Sequence, residues 1–204
     1  MIFTFRRVLL VVAVCAIAIV VTGGRNVSAD RAMADRPVPD HPAVDRSTND
    51  WLAHLNDELP LLGHRNWIAV VDSAYPLQTS SGIETIETNA DQIEVVRTVL
   101  AQIGNTRHVR PVVFTDAELQ AVPESDATGV TAYREALSHL LGKSGSQSLP
   151  HEQIIAKLDE AGQRFHIVVL KTRLTISYTS VFIRLDCGYW TDDAEQRLRE
   201  AMTK

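Results

Sequence analysis

Cysteine is nearly absent from this chain. Among its 204 residues only Cys15 and Cys187 carry a thiol, and Cys15 falls in a segment read below as removable. A lone Cys187 then excludes an intramolecular disulfide and a thiolate zinc cluster. Basic charge is scarce as well. Arg6, Arg7 and Arg25 lie within the first 29 residues, a stretch without one acid. That leaves 17 Lys and Arg against 25 Asp and Glu in the remainder, a net charge of −8. A phosphate-backbone binder needs clustered Lys and Arg, so nucleic acid is not an expected partner. The same deficit argues against an anionic membrane surface. Several catalytic signatures are missing too. The seven histidines lie at 41, 54, 64, 108, 139, 151 and 166, with no His–His pair at i,i+4. That spacing would put two zinc ligands on one helix face, so no metal and no cofactor are expected. Lys143-Ser144-Gly145-Ser146 is a loop without the G-x-S-x-G elbow of a serine hydrolase. Ser80-Ser81-Gly82 is too little for a phosphate-cradling glycine loop.

What is present has a clear order. Apolar residues make up 45% and charged residues 22%, close to the globular average. Arg6-Arg7 precede Val8–Val21, an unbroken apolar run of 14 residues. This suits the core of a signal peptide and is short of the ~20 residues a membrane span needs. Gly23-Gly24 break the run, and Val27-Ser28-Ala29 offers small residues for cleavage after Ala29. Residues 1–29 thus predict a signal peptide and an exported, periplasmic or extracellular product; the alternative is an uncleaved N-terminal membrane anchor. Residues 30–48 carry three prolines and four aspartates with no apolar period, and read as a disordered tether. Residues 49–204 form the expected domain.

Helix and strand patterns alternate along that domain. Asn49 can cap a helix with Trp51, Leu52, Leu55 and Leu59 on one face. Trp67–Val71 reads as a strand buried on both faces. Ile93, Val96, Val99, Leu100 and Ile103 predict a helix from Asp91, with Gly104 as its stop. Val109–Phe114 is the next strand, and Thr131–Leu141 a helix with Tyr133, Ala136, Leu137 and Leu140 inward. Ser148 is positioned to cap a helix with Pro150 in its first turn, Ile154, Ile155 and Leu158 inward and Gly162 at its end. Phe165–Leu170 and Val181–Asp186 are strands. Thr191-Asp192-Asp193 opens a final acidic helix whose narrow stripe, Ala194, Leu198, Ala201 and Met202, would dock on its own subunit. Such alternation predicts a layered α/β fold, a largely parallel sheet flanked by helices. Ligand groups in such folds collect where strands end.

Two blocks carry a family resemblance. Leu62-Gly63-His64 precedes the Trp67–Val71 strand, which ends in Asp72-Ser73-Ala74-Tyr75-Pro76. Tyr178-Thr179-Ser180 precedes the strand from Val181. Together with Val109–Val113 and Ala132–Leu137, these blocks resemble the D-ribose pyranase / L-fucose mutarotase (RbsD/FucU) family over about residues 50–190. The resemblance implies a monosaccharide partner and a ring-shaped homo-oligomer. In it, one subunit's histidine and carboxylate meet the closing tyrosine segment of its neighbour.

Opening a sugar ring requires one group to take the anomeric hydroxyl proton and another to protonate the ring oxygen. An imidazole with a pKa near 6.5 can do either at neutral pH. The resemblance makes His64 the acid/base, Asp72 the carboxylate that fixes sugar hydroxyls or the imidazole tautomer, and Tyr178 the group near the ring oxygen. His151, in His151-Glu152-Gln153, resembles a further histidine of the pyranases and joins Asn66 and Ser180 as a substrate contact. Three positions depart from the family. Asn66 stands where it has an acid, Ser180 where it has Asn, and Arg173-Leu174 where it has Gly-Glu. These losses favour the alternative of a non-catalytic monosaccharide-binding protein on the same fold. A purely structural ring-forming subunit is a third reading. Cys187 reads as a small core residue.

Overall fold

The computed structural model describes residues 50–142 and 145–203. The expected signal peptide at 1–29, the expected tether at 30–48, the expected Asn49 cap and Lys143-Ser144 of the predicted loop lie outside the described residues.

The first helix, α1 (Asp50–Glu58), buries Trp51 and Leu55 at i,i+4 spacing. Strand β1 (Trp67–Val71) is buried at every position, as an unbroken run of apolar β-formers requires when both faces of a sheet are covered. Strand β2 (Ile83–Glu87) follows. Its alternating IETIE sequence is too polar for a central strand, and it forms an edge. Helix α2 (Gln92–Gly104) starts where the Asp91 carboxylate accepts a hydrogen bond from the Glu94 N–H. Strand β3 (Val109–Asp116) runs two residues past its predicted end and leads through a 3-10 turn, Ala117–Gln120.

Helix α3 (Val130–Leu141) buries Val130, Tyr133 and Leu137. Ala136, expected inward, is exposed, because the buried stripe is narrower than the apolar pattern. Ser148 does not cap a helix. It lies within a short strand, β4 (Gln147–Leu149), and Pro150 occupies the N-cap of α4 (His151–Gly162). The parallel ladder with β3, which pairs Thr115 with Ser148, overrides the local capping preference. Strands β5 (Ile167–Lys171) and β6 (Val181–Cys187) and helix α5 (Asp192–Met202) complete the chain.

The six strands run in the order β2-β5-β1-β6-β3-β4. β6 is antiparallel to both β1 and β3, and every other pairing is parallel. The expected α/β fold with a largely parallel sheet is the one observed. Period-two alternation divides the core. Ile68, Val70, Val168, Leu170 and Ile183 face the layer that holds α1, α2 and α3. Trp67, Ala69, Val71, Val169 and Phe182 face α4. Gly82 is required where β2 enters the sheet, since a Cβ there would stand 2.5 Å from the Gly162 carbonyl oxygen and 2.9 Å from that of Phe165.

Helix α5 stands apart. Thr191 caps it and Glu195 pairs with Arg199, yet none of its residues is buried. The stripe expected to dock on its own subunit is uncovered within the chain, with Met202 69% exposed. Among the described residues only Arg110, bonded to Asp192, tethers its first turn to the sheet by an ion pair.

Candidate functional site

β1 separates the predicted catalytic residues. His64 precedes its first residue and Asp72 follows its last, and the five-residue strand between them spans about 13 Å at ~3.3 Å per residue. His64, Asp72 and Tyr178 are therefore not brought together within one chain. The sheet instead carries one cluster at each end.

The cluster at the C-terminal ends of β1 and β3 contains Asp72, Tyr178, His151 and a residue the sequence reading passed over, Asp116. Topology assembles it. β5 and β6 are not neighbours, so residues 172–180 must cross over the end of β1. There the Ser73 N–H donates to the Leu174 carbonyl at 2.8 Å. This crossing carries Tyr178 over the sheet. Asp116 is the last residue of β3, and the β3–β4 ladder delivers the first residue of α4, His151, to the same end.

His151 Nδ1 lies 3.1 Å from Asp116 Oδ1. A carboxylate there selects the tautomer with the proton on Nδ1 and leaves the lone pair on Nε2, the arrangement that readies an imidazole to accept a proton. The His151 backbone is also fixed. Its N–H donates to both carboxylate oxygens of Glu118, at 3.1 and 3.0 Å, which supplies an acid to the positive end of α4 where Pro150 offers no cap. Asp116 is buried, and its Oδ2 has no hydrogen-bond partner. Burial raises its pKa above the ordinary carboxylate value, partly offset by His151.

Tyr178 sets its ring edge-on to that of His151, with centroids 5.8 Å apart and planes at 83°. It is 41% exposed and holds a left-handed backbone, φ 59°, which costs a non-glycine residue about 1–3 kcal/mol. A buried polar network underlies it. The Thr179 carbonyl accepts hydrogen bonds from Gln92 Nε2 and from the Tyr133 hydroxyl, the latter at 2.6 Å. Gln92 Oε1 accepts from Thr172, whose hydroxyl and N–H reach the Val71 carbonyl. Burial raises the Tyr133 pKa well above the phenol value, so it remains a neutral donor. Asp72 accepts from the Ala74 N–H at 2.8 Å. The nearby Tyr75 phenol is pushed up to about 12 by burial first, then by the carboxylates of Asp159, Asp116 and Asp72. Asp72 and Asp116 thus share one electrostatic neighbourhood.

Ser180 is buried beside this loop, 2% exposed, and offers no surface to a ligand within the chain. Asn66 lies at the other end, with both amide atoms engaged. Its Oδ1 accepts from the Gly63 N–H at 2.7 Å and its Nδ2 donates to the His166 carbonyl at 3.0 Å. It braces the turn that presents His64.

The second cluster gathers around His64. Its Nδ1 lies 2.8 Å from Asp186 Oδ1, while Asp186 Oδ2 accepts from Arg110 at 2.8 Å. Burial pushes the Asp186 pKa up, but the Cys187 N–H, Arg110 and His64 together outweigh it and hold it below the ordinary value. A cleft of about 740 Å³ opens here, lined by His64, Arg65, Arg184, Trp190 and Glu195 among others.

No family model and no curated protein matches the chain. Among solved structures it is similar to Bacillus subtilis RbsD complexed with D-ribose, at 17% identity over 66% of this chain and 92% of that one, TM-score 0.48. It is similar to FucU from Bifidobacterium longum at 13% identity, over 66% and 94%, TM-score 0.45. For the fucose mutarotase in complex with L-fucose from Streptococcus pneumoniae the values are 15%, 65% and 91%, and 0.42.

Proposed function

We propose that this protein is a monosaccharide mutarotase or pyranase, which interconverts anomers or ring forms of a sugar by general acid–base chemistry without a redox step. The observation that carries this reading is the His151–Asp116 pair with Tyr178 set edge-on beside it. The imidazole takes the anomeric hydroxyl proton through Nε2 and returns it, Tyr178 serves the ring oxygen, and Asp72 holds sugar hydroxyls. His64 stands at the far end of the sheet, so its part requires a second copy. The His64 end of one subunit faces the His151 end of another, and the pocket is shared in a homo-oligomer. Export through residues 1–29 belongs to the proposal, and the intact mass of the secreted chain tests it.

The alternative, a binding protein without turnover, is favoured by the buried Ser180 and the fully engaged Asn66. Magnetisation-exchange NMR separates the two, with D-ribose and L-fucose, the sugars named for two of the neighbours, as first probes. Catalysis predicts faster exchange between anomer signals in the presence of protein. Line broadening without exchange would establish the binding protein, and neither effect with any pentose or deoxyhexose would end both readings.

A further inference from the structure

A third group of ionisable side chains takes no part in the sugar reading. His54 and Glu58 stand four residues apart on α1, and so share one face of that helix. This face meets the sheet edge where β2 presents Glu84 and where His166 enters β5. His54 Nε2 lies 3.0 Å from Glu84 Oε1. His166 Nε2 lies 3.6 Å from Glu84 Oε2 and 3.8 Å from Glu58 Oε2. Donor atoms of His54, Glu58 and Glu84 all fall within 4.8 Å of one another. Both Nε2 atoms are shielded from water, and neither makes a hydrogen bond.

Shielded imidazole nitrogens that face carboxylate oxygens without a hydrogen bond call for a proton or a cation to balance the negative charge. A tetrahedral ion with bonds of about 2.0–2.2 Å separates its donors by about 3.3–3.6 Å, and the donors of His54, Glu58 and Glu84 lie near that range, within 4.8 Å of one another. We infer that His54, Glu58 and Glu84 form a binding site for one divalent transition-metal ion, with His166 beside it and zinc favoured by the chemistry of the donors.

Mixed imidazole and carboxylate ligation suits zinc, whereas calcium and magnesium prefer oxygen alone. The surroundings agree. Beside the cluster a cleft of about 620 Å³ is lined by Asp50, Asp57, Glu84 and Glu87 and by no Lys or Arg, a field that draws cations. The ligands also come from well-fixed backbone. The His166 carbonyl accepts hydrogen bonds from Asn66 Nδ2 and from the Trp67 N–H, and Glu84 is held by the β2–β5 ladder opposite Val168. A zinc ion here would tie α1 to the edge strand.

Calorimetric titration of chelator-stripped full-length chain with ZnCl2 tests the site. One ion per chain is expected. Glu84→Gln and His54→Ala should each weaken binding by more than the about 10–100-fold that losing a mere supporting partner costs. Co2+ should give the intense visible absorption of a four-coordinate ion, and Mg2+ should not compete. Glu84→Gln lies on a half-buried edge strand and keeps the side-chain shape, so it remains decisive if His54→Ala fails to fold. No saturable zinc uptake by the wild-type chain, or uptake unchanged in both variants, would overturn the assignment. Sugar exchange does not enter the readout, so either proposal can fail alone.

Discussion

Each end of the sheet carries a histidine whose Nδ1 faces an aspartate, and the two pairs share little else. At the His64 end, Asp186 also receives Arg110 and a backbone N–H. Its charge is secured whether or not the imidazole is present, and its pKa is held low. At the His151 end, Asp116 has a single side-chain partner and one unpaired oxygen, and burial raises its pKa. The first aspartate is a fixed anion that orients a half-exposed ring. The second can share a proton with its histidine. One contact therefore serves two purposes, and what separates them is the number of other donors each carboxylate has.

The sharpest break of this contrast is His151→Ala. General acid–base catalysis is worth about 10²–10⁴-fold, so sugar exchange should fall by that much while circular dichroism stays native. Asp116→Asn should also depress exchange strongly, up to about 10⁴-fold, because an amide no longer selects the tautomer with the proton on Nδ1. It also tests the electrostatics. A buried carboxyl with a raised pKa binds its proton more tightly folded than unfolded, so it lowers stability as pH rises from the ordinary carboxylate value through the raised one. Urea midpoints of wild type should show this loss and those of Asp116→Asn should not; parallel profiles would refute it. Tyr178→Gly should relieve the left-handed backbone and stabilise the fold by about 1 kcal/mol, while removing the ring depresses exchange. The smallest effect belongs to the other pair. Asp186 has a lowered pKa, so its stabilisation is present above the ordinary carboxylate value and is lost as pH falls from there through the lowered one. Asp186→Asn should flatten that acid limb only slightly, since Arg110 also pairs with Asp192.

The sequence disclosed these ends unequally. Continuous apolar runs such as Trp67–Val71 and periodic ones such as Val96–Ile103 can bury their side chains in only one way, and those elements form as expected. β2 and β4 were not legible. IETIE and QSL have too few apolar residues to announce a strand, and they exist because β5 and β3 offer open ladders. Asp72, Tyr178 and His151 could be picked out by motif and do share one end of the sheet. Asp116 could not, because nothing local marks it. It becomes significant only when the β3–β4 ladder sets His151 beside it. A clue was available in the apolar strand Val109–Phe114 running into an acid two residues on. The His54–Glu58 pair escaped for another reason: a search for histidine pairs at i,i+4 ignores a glutamate at the same spacing.

The central claim is that the two dyads of the sheet serve one pocket across a subunit contact. Mixing two inactive variants tests it most directly. His64→Ala and His151→Ala copies are denatured together in equal amounts and refolded, and anomer exchange is read by NMR. If each pocket takes His64 from one subunit and His151 from its neighbour, random pairing restores about a quarter of the wild-type sites, and exchange returns where each variant alone has almost none. A mixture as inactive as its components, or a His64→Ala protein already exchanging at the wild-type rate, would contradict the claim.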